Sequence, residues 1–140
     1  MEENALLKKQ VAYLELKQIE QIQEQLLQQA DTVNHTHFIG KLLNVMQPDI
    51  LKKLCFQLKK QLTGDYVVVL AANISGKPHV AVLLSETMVT EKKWDANQLI
   101  KQHIASIIKG SGGGQKTLAT AGGQDASNLN TIFSAIRALL

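Results

Sequence analysis

Six consecutive apolar residues, Tyr66-Val67-Val68-Val69-Leu70-Ala71, set the strongest constraint on the fold. Side chains alternate between the two faces of a sheet, so a strand that is apolar throughout must be covered on both. The segment is therefore expected as a central strand. Asn73 to Pro78 then form a turn, and His79-Val80-Ala81-Val82-Leu83-Leu84 returns as the hairpin partner.

Upstream, Phe38-Ile39-Gly40-Lys41-Leu42-Leu43 reads as a first strand, with Gly40 marking a bulge or bend. Pro48 suits the first turn of a helix. In that helix Leu51, Leu54, Cys55, Leu58 and Leu62 make one apolar face, and Lys52, Lys53, Lys59 and Lys60 lie mostly off it. Gly64 is the natural stop. Strand, helix and strand in this order predict a right-handed βαβ crossover. Beyond Trp94, a packing anchor, Asp95 starts a helix whose buried stripe is Ala96, Leu99, Ile100, His103, Ile104, Ile107 and Ile108. A last helix, capped by Asp125 or Ser127, buries Leu129, Ile132, Phe133, Ile136 and Leu140.

Residues 2 to 33 lack glycine and proline and are rich in Gln, Glu, Leu and Lys, all good helix formers. Ala12, Leu16, Ile19, Gln23, Leu26, Ala30 and Val33 follow alternating steps of four and three, the heptad spacing. A helix about 45 Å long must bury that stripe, on its own body or by pairing with a second copy or a neighbouring segment. The few apolar positions outside the stripe favour pairing, with Leu16, Ile19, Leu26 and Val33 as the dimerisation residues. The expected fold class is α+β, that is, mixed α/β. A long N-terminal helix leads into a small mixed sheet, a βαβ unit plus a hairpin, covered by helices. The expected division is a stalk over 1–34 and a globular domain over 35–140, with a glycine-rich loop over 110–123.

The stalk carries three lysines against six acids, whereas residues 35–116 carry eleven lysines against five. A basic body suits a polyanionic partner. No apolar run approaches the roughly 18 residues of a membrane span, and MEENALLKKQ lacks the apolar core of a secretion signal. The single cysteine, Cys55, excludes an internal disulfide framework and a cysteine-built zinc site. Together these features predict a cytoplasmic setting without membrane contact. On a strand, His35 and His37 would face the same way, but no third ligand accompanies them, so no metal is expected. His103 reads as a hydrogen-bonded core or interface residue, and Cys55 as an inert buried thiol. No catalytic residue is expected. The scarcity of aromatics, 4% of the chain, argues against binding that depends on base stacking.

Gly110-Ser111-Gly112-Gly113-Gly114 resembles the start of a phosphate loop, and Lys116-Thr117 stands where the G-x-x-x-x-G-K-[ST] motif wants it. The sixth position is Gln115 instead of glycine, and the segment follows a helix where a phosphate loop follows a strand. Small residues at Ala119 and Ala121 imply backbone lying close to the sheet or a ligand. Successive glycines leave amides bare for an anion, and Lys109, Lys116 and the dipole of the last helix add positive charge. Lys101, on an exposed helix side, is a weaker candidate.

The run GSGGG, then Ala119-Thr120-Ala121-Gly122-Gly123 before a closing helix, resembles the C-terminal domain of alanyl-tRNA synthetase. The resemblance covers about His37 to Leu140, including VVVLAA and Gly76-Lys77, and the stalk fits the helical segment preceding this domain in the family. It is similar also to the accessory domain of DHH-type phosphoesterases, which is the alternative reading. Where the synthetases continue Arg-Pro-Asp-Met, this chain has Gln115, Lys116, Thr117 and Leu118, and Gln115 also replaces the phosphoesterase histidine.

The resemblance implies a noncatalytic domain that binds the outer corner of alanine-accepting tRNA and dimerises the enzyme, supporting aminoacylation and editing. Its expected partners are tRNA, a second copy through the N-terminal helix, and the rest of the synthetase chain. ATP, Mg and Zn belong to other modules of such an enzyme, and no cofactor is expected here. Gly112, Gly113, Gly114, Ala119, Ala121, Gly122 and Gly123 map onto the family motif. Lys109, Gln115 and Lys116 complete the expected nucleic-acid-binding set.

Overall fold

The computed structural model describes residues 17, 20–28, 30–33, 35–43, 49–62 and 64–139. Residues 20–28 are helical (α1). The strands are β1 (Asp31–Val33), β2 (Thr36–Leu43), β3 (Tyr66–Ile74), β4 (Lys77–Leu84), β5 (Gly110–Gly114) and β6 (Leu118–Gly123). They form one mixed sheet in the order β1-β2-β3-β4-β6-β5. Only β2 and β3 run parallel, joined through helix α2 (Asp49–Gln61); every other neighbouring pair is antiparallel. Helices α3 (Glu86–Thr90), α4 (Ala96–Leu99), α5 (Ala105–Ile108) and α6 (Leu129–Arg137) complete the described elements. A π-helical turn, Ile100–Ile104, joins α4 to α5.

The apolar run behaves as the sequence requires. Val67 to Ala72 of β3 are all 0% exposed. Val67, Val69 and Ala71 face one core with Val80, Val82 and Leu84 of β4, under Met88, Ile100, Ile104, Ile108, Ile132 and Ile136 from the later helices. Val68, Leu70 and Ala72 face a second core with Ala81 and Leu83, under Leu51, Leu54, Cys55 and Leu58 of α2. Lys52, Lys53, Lys59 and Lys60 are exposed, as the spacing predicts. Gly64 ends the α2 connection at φ 73, a conformation that L-residues avoid.

Several boundaries differ from the sequence expectation. The helix of the stalk gives way to β1, so Val33 lies in an edge strand paired with Thr36 and not on a helical seam. Leu26 is 1% exposed inside the core under α2, with Ile22, Leu27 and Ala30 packed against that core. The end of the stalk therefore packs on its own body. Leu16, Ile19 and Pro48 lie outside the described residues. Gly40 marks no bulge, because the β2–β3 register runs unbroken from His37↔Tyr66 to Leu43↔Ala72. Its missing Cβ instead leaves room for the rings of Phe38 and Phe133, which would lie 2.8 and 3.2 Å from it. The β3–β4 turn is tighter than expected. Ser75 and Gly76 both take positive φ and Ile74 pairs with Lys77, the two-residue geometry whose twist matches antiparallel strands.

Asp95 caps α4 by accepting the Asn97 amide, as expected. The last helix starts later than expected, after Asn128, with no side-chain cap; the Asp125 carboxylate instead accepts from the Ser127 amide and hydroxyl in the preceding turn. Leu140 lies outside the described residues. Helix α3 has no counterpart in the sequence reading. Ser85 starts it by accepting the Met88 amide.

A polar cluster locks α3 to the sheet. Tyr66 N–H donates to Ser85 Oγ at 3.3 Å, and Thr87 Oγ1 donates to Asp65 Oδ1. Lys92 Nζ sits 3.3 Å from both Asp65 Oδ2 and Thr36 Oγ1. The Thr87 hydrogen bond, with help from Lys92, holds the Asp65 carboxyl below the usual carboxylate range. A carboxyl with a lowered folded-state value contributes stability that is whole above its unfolded value, about 3.9, and is lost as pH falls through the folded value. Asp65→Ala is expected to be less stable than wild type in urea at pH 7, and the gap should narrow as the pH falls below the unfolded carboxyl value, about 3.9.

Candidate nucleic-acid interface

The expected glycine loop is a β-hairpin. Gly110 to Gly114 pair with Gly123 to Ala119 in register, and β6 also pairs with β4 from His79↔Gly122 to Leu83↔Leu118. The amides of β6 therefore sit between two strands and form no open cradle. The tip is pinned as well. Gln115 N–H donates to the Leu118 carbonyl, Leu84 N–H to that of Thr117, and Ala96 N–H to that of Lys116. Asn97 Nδ2 adds a 2.7 Å hydrogen bond to the Gly114 carbonyl.

The glycines divide into two kinds. A Cβ on Gly110 would lie 2.0 Å from the Gly122 carbonyl oxygen, on Gly112 2.2 Å from that of Thr120, and on Gly114 2.6 Å from that of Leu118. One on Gly123 would lie 2.2 Å from the Ile108 oxygen. Fixed backbone leaves no escape at these four positions, so the hairpin itself requires glycine there. Gly113 and Gly122 are different. Their nearest neighbours would be Asn97 Oδ1 at 3.5 Å and the His79 ring at 3.6 Å, ordinary contacts. At these two positions a methyl group would fit without a clash, and the backbone borders cavity space.

That space is a groove. Ala119 and Ala121 turn into the core shared with α4, α5 and α6, whereas Thr120 is exposed on the other side of the strand. On that other side α2 packs against β3 and β4. Two adjoining cavities of about 260 and 550 Å³ lie between α2 and the hairpin, sharing Lys52, Gly113 and Thr120. Phe56 and Lys59 wall the smaller one, and Asp49 and His79 border the larger. Among the described residues no carboxylate forms an ion pair with Lys52 or Lys59.

The expected binding residues are thus split. Gly112, Gly113, Gly114, Gln115, Ala121 and Gly122 line the groove. Ala119 is buried in the core, and Gly123 packs against the end of α5. Lys109 and Lys116 stand at opposite ends of the hairpin, separated by the roughly 15 to 20 Å of strand β5, and neither lines the groove. Lys109 takes a left-handed conformation, φ 52, to turn α5 into β5, and its ammonium lies 4.0 Å from Asp125. Lys101 is exposed on the π-helical turn. The lysines of α2 had read only as an exposed helix face; their spacing gave no sign of a strand beside them.

Other candidates fall elsewhere. His35 occupies the β1–β2 turn at φ 66 and His37 lies in β2, so they do not share a strand face as expected. Among the described residues no group of three or more His, Cys, Asp or Glu stands where it could hold a metal ion. Burial pushes the Cys55 thiol up to about 12, which keeps it protonated and inert. Trp94 packs against the core, and with His103 it borders a third cavity of about 460 Å³ away from the groove. No described helix is long and apolar enough to cross a membrane.

The two kinds of glycine give a direct check. Gly112→Ala is expected to lower the melting temperature by several degrees, because its Cβ meets backbone oxygen, while Gly113→Ala should melt within a degree or two of wild type.

Comparison with known proteins fits this architecture. The DHHA1 domain family matches residues 35–140. An alanine–tRNA ligase of Cytophaga hutchinsonii is 30% identical over 140 residues, all of this chain and 16% of the relative's length. One of Bacteroides thetaiotaomicron is 34% identical over 137 residues, 97% of this chain and 15% of that protein. The chain thus spans about a sixth of these relatives. The crystal structure of the C-Ala domain from Aquifex aeolicus alanyl-tRNA synthetase superposes with a TM-score of 0.70 at 22% identity, covering 80% of this chain and 97% of that one. A DHH domain of a member of the s1p family of ribosomal proteins superposes at 0.55 with 13% identity, covering 84% of this chain and 30% of that one. The match over 35–140 takes in the sheet from β2 onward, the groove and the glycine hairpin, and the chain accordingly belongs to the DHHA1 domain family, with alanine–tRNA ligases among its relatives.

Proposed function

We propose that this chain is a noncatalytic RNA-holding domain of an alanine–tRNA ligase, gripping folded tRNA in the groove between α2 and the β5–β6 hairpin. The observation that carries the reading is the groove itself. It is open and walled by Lys52 and Lys59, and it is bordered by backbone bare at Gly113 and Gly122. Ammonium groups free of ion-paired carboxylates attract phosphates, and backbone without side chains lets a ribose-phosphate chain approach closely. Such contacts read RNA shape, through phosphates and 2′-hydroxyls, more than base sequence. The relatives' name supplies the RNA: transfer RNA that accepts alanine. The DHH-type alternative has a likeness of fold but no feature of this groove in its favour.

Pairing of two copies belongs, in this reading, to the stalk ahead of Leu26, because Leu26 is already engaged in its own core. The charge asymmetry supports that division of labour, with an acidic stalk kept off the RNA and a basic body placed on it.

Two measurements test these assignments. Folded tRNA should bind with an affinity that falls linearly in log–log against salt, by about 0.7 to 0.9 per phosphate contacted. Lys52→Ala with Lys59→Ala should flatten that slope by one to two contacts, more than Lys109→Ala with Lys116→Ala does; the reverse order would move the interface to the hairpin ends. Lysine at both Leu16 and Ile19 should halve the particle mass seen by light scattering, and a wild type that is already single ends the pairing proposal.

A further inference from the structure

The groove holds an aromatic side chain that the core does not use. On α2 the residues Ile50, Leu51, Leu54, Cys55 and Leu58 are at most 3% exposed, whereas Phe56 is 49% exposed, the most of any large apolar residue among the described ones. It lies four residues after Lys52 and three before Lys59, so the three share one stripe of the helix. All three border the 260 Å³ cavity, and the backbone across from them belongs to Gly113 and Gly114. An aromatic side chain between two ammonium groups, facing bare backbone at Gly113 and Gly114 beside Thr117 and Thr120, has the form of a slot for a flat ring that carries a phosphate on each side.

We infer that Phe56 stacks on one unpaired base of the bound RNA, while Lys52 and Lys59 hold the phosphates that flank it. The inference rests on the RNA-holding reading above and narrows it to a loop or single-stranded segment. In an A-form helix the bases are stacked on one another, so their faces are not open to a side chain, and the cavity admits one ring and not a duplex. An unpaired base offers its face without that cost, and stacking on an aromatic residue tolerates any of the four bases. The adjoining 550 Å³ cavity, reached past Lys52, Gly113 and Thr120, gives the strand a path onward beside His79 and Ser111. Aromatic scarcity in the sequence argued against stacking, yet one well-placed ring suffices for one base.

The test uses the 140-residue chain and two RNAs of equal length: a hairpin with 2-aminopurine in its unpaired loop, and a full duplex with 2-aminopurine in a pair. Wild type should bind the hairpin more tightly and quench its fluorescence. Phe56→Ala should weaken hairpin binding about 5- to 100-fold and abolish the quench, with the salt slope and the melting temperature unchanged. Phe56→Tyr should restore both, and duplex binding should not respond to either change. If Phe56→Ala binds and quenches the hairpin as wild type does, the stacking assignment is wrong while the groove proposal stands. Wild type that binds neither RNA overturns both.

Discussion

Burial of β3 on both faces obliges the chain to build a layer of helix on each side of its sheet. Val67 to Ala72 are all 0% exposed, and burying each of the valines and the leucine among them contributes on the order of 1.5 to 3 kcal/mol relative to exposure. No arrangement of a single helical layer satisfies such a strand. Helix α2 and the end of the stalk supply one layer, and α3 through α6 the other. The βαβ connection follows from the same demand, since α2 joins β2 to β3 and covers what they share.

The two layers are unequal in reach. On the side of α3 to α6, coverage extends to Ala119 and Ala121 of β6. On the side of α2 it reaches Leu118 at the margin and leaves Thr120 exposed. The groove is the region that one helix is too narrow to cover. Its chemistry then comes from whatever borders the gap: the polar flank of α2 on one side and a glycine hairpin on the other. A structural shortfall and a run of lysines that needs solvent have the same location, and that coincidence makes the place suitable for a polyanion.

How legible this was depended on the kind of signal each segment carries. β3 and β4 are visible as unbroken apolar runs, which strands buried on both faces produce, and α2 and the helix after Asp95 through the 3.6-residue period of one buried face. β5 was not visible, because five residues of glycine and serine have no period and glycine is depleted from strands. Its partner held a trace of the answer in the alternation of Leu118, Ala119, Thr120 and Ala121. Ala119 and Ala121 are small because they lie under the layer of α4 to α6, a cover that the sequence expectation of close approach to the sheet or a ligand does not include. Helix α3 escaped notice because five residues are too few for periodicity, leaving Ser85 as the only cue. The heptad spacing of the stalk runs on to Val33 and so predicts helix through Asp31-Thr32-Val33; pairing with β2 overrides that local pattern. Lys109 and Lys116 stand close to the glycines along the chain, whereas Lys52, Phe56 and Lys59 are brought to the groove by folding alone.

The carbonyl of Ile108 joins more of the molecule than its position suggests. It accepts the amides of Gln124 and Asp125, each at 2.9 Å, and Gly123 lies so close that a methyl group would strike it. The end of α5, the end of β6 and the lead-in to α6 therefore meet at one oxygen atom. The hairpin cannot peel away as a flap, because lifting it also frees the chain that delivers Leu129, Ile132 and Ile136 to the core. The shared oxygen couples the opening of the hairpin to that of α6, so a ligand that holds the glycine strand is expected to slow the breathing of the closing helix on the far side of the sheet.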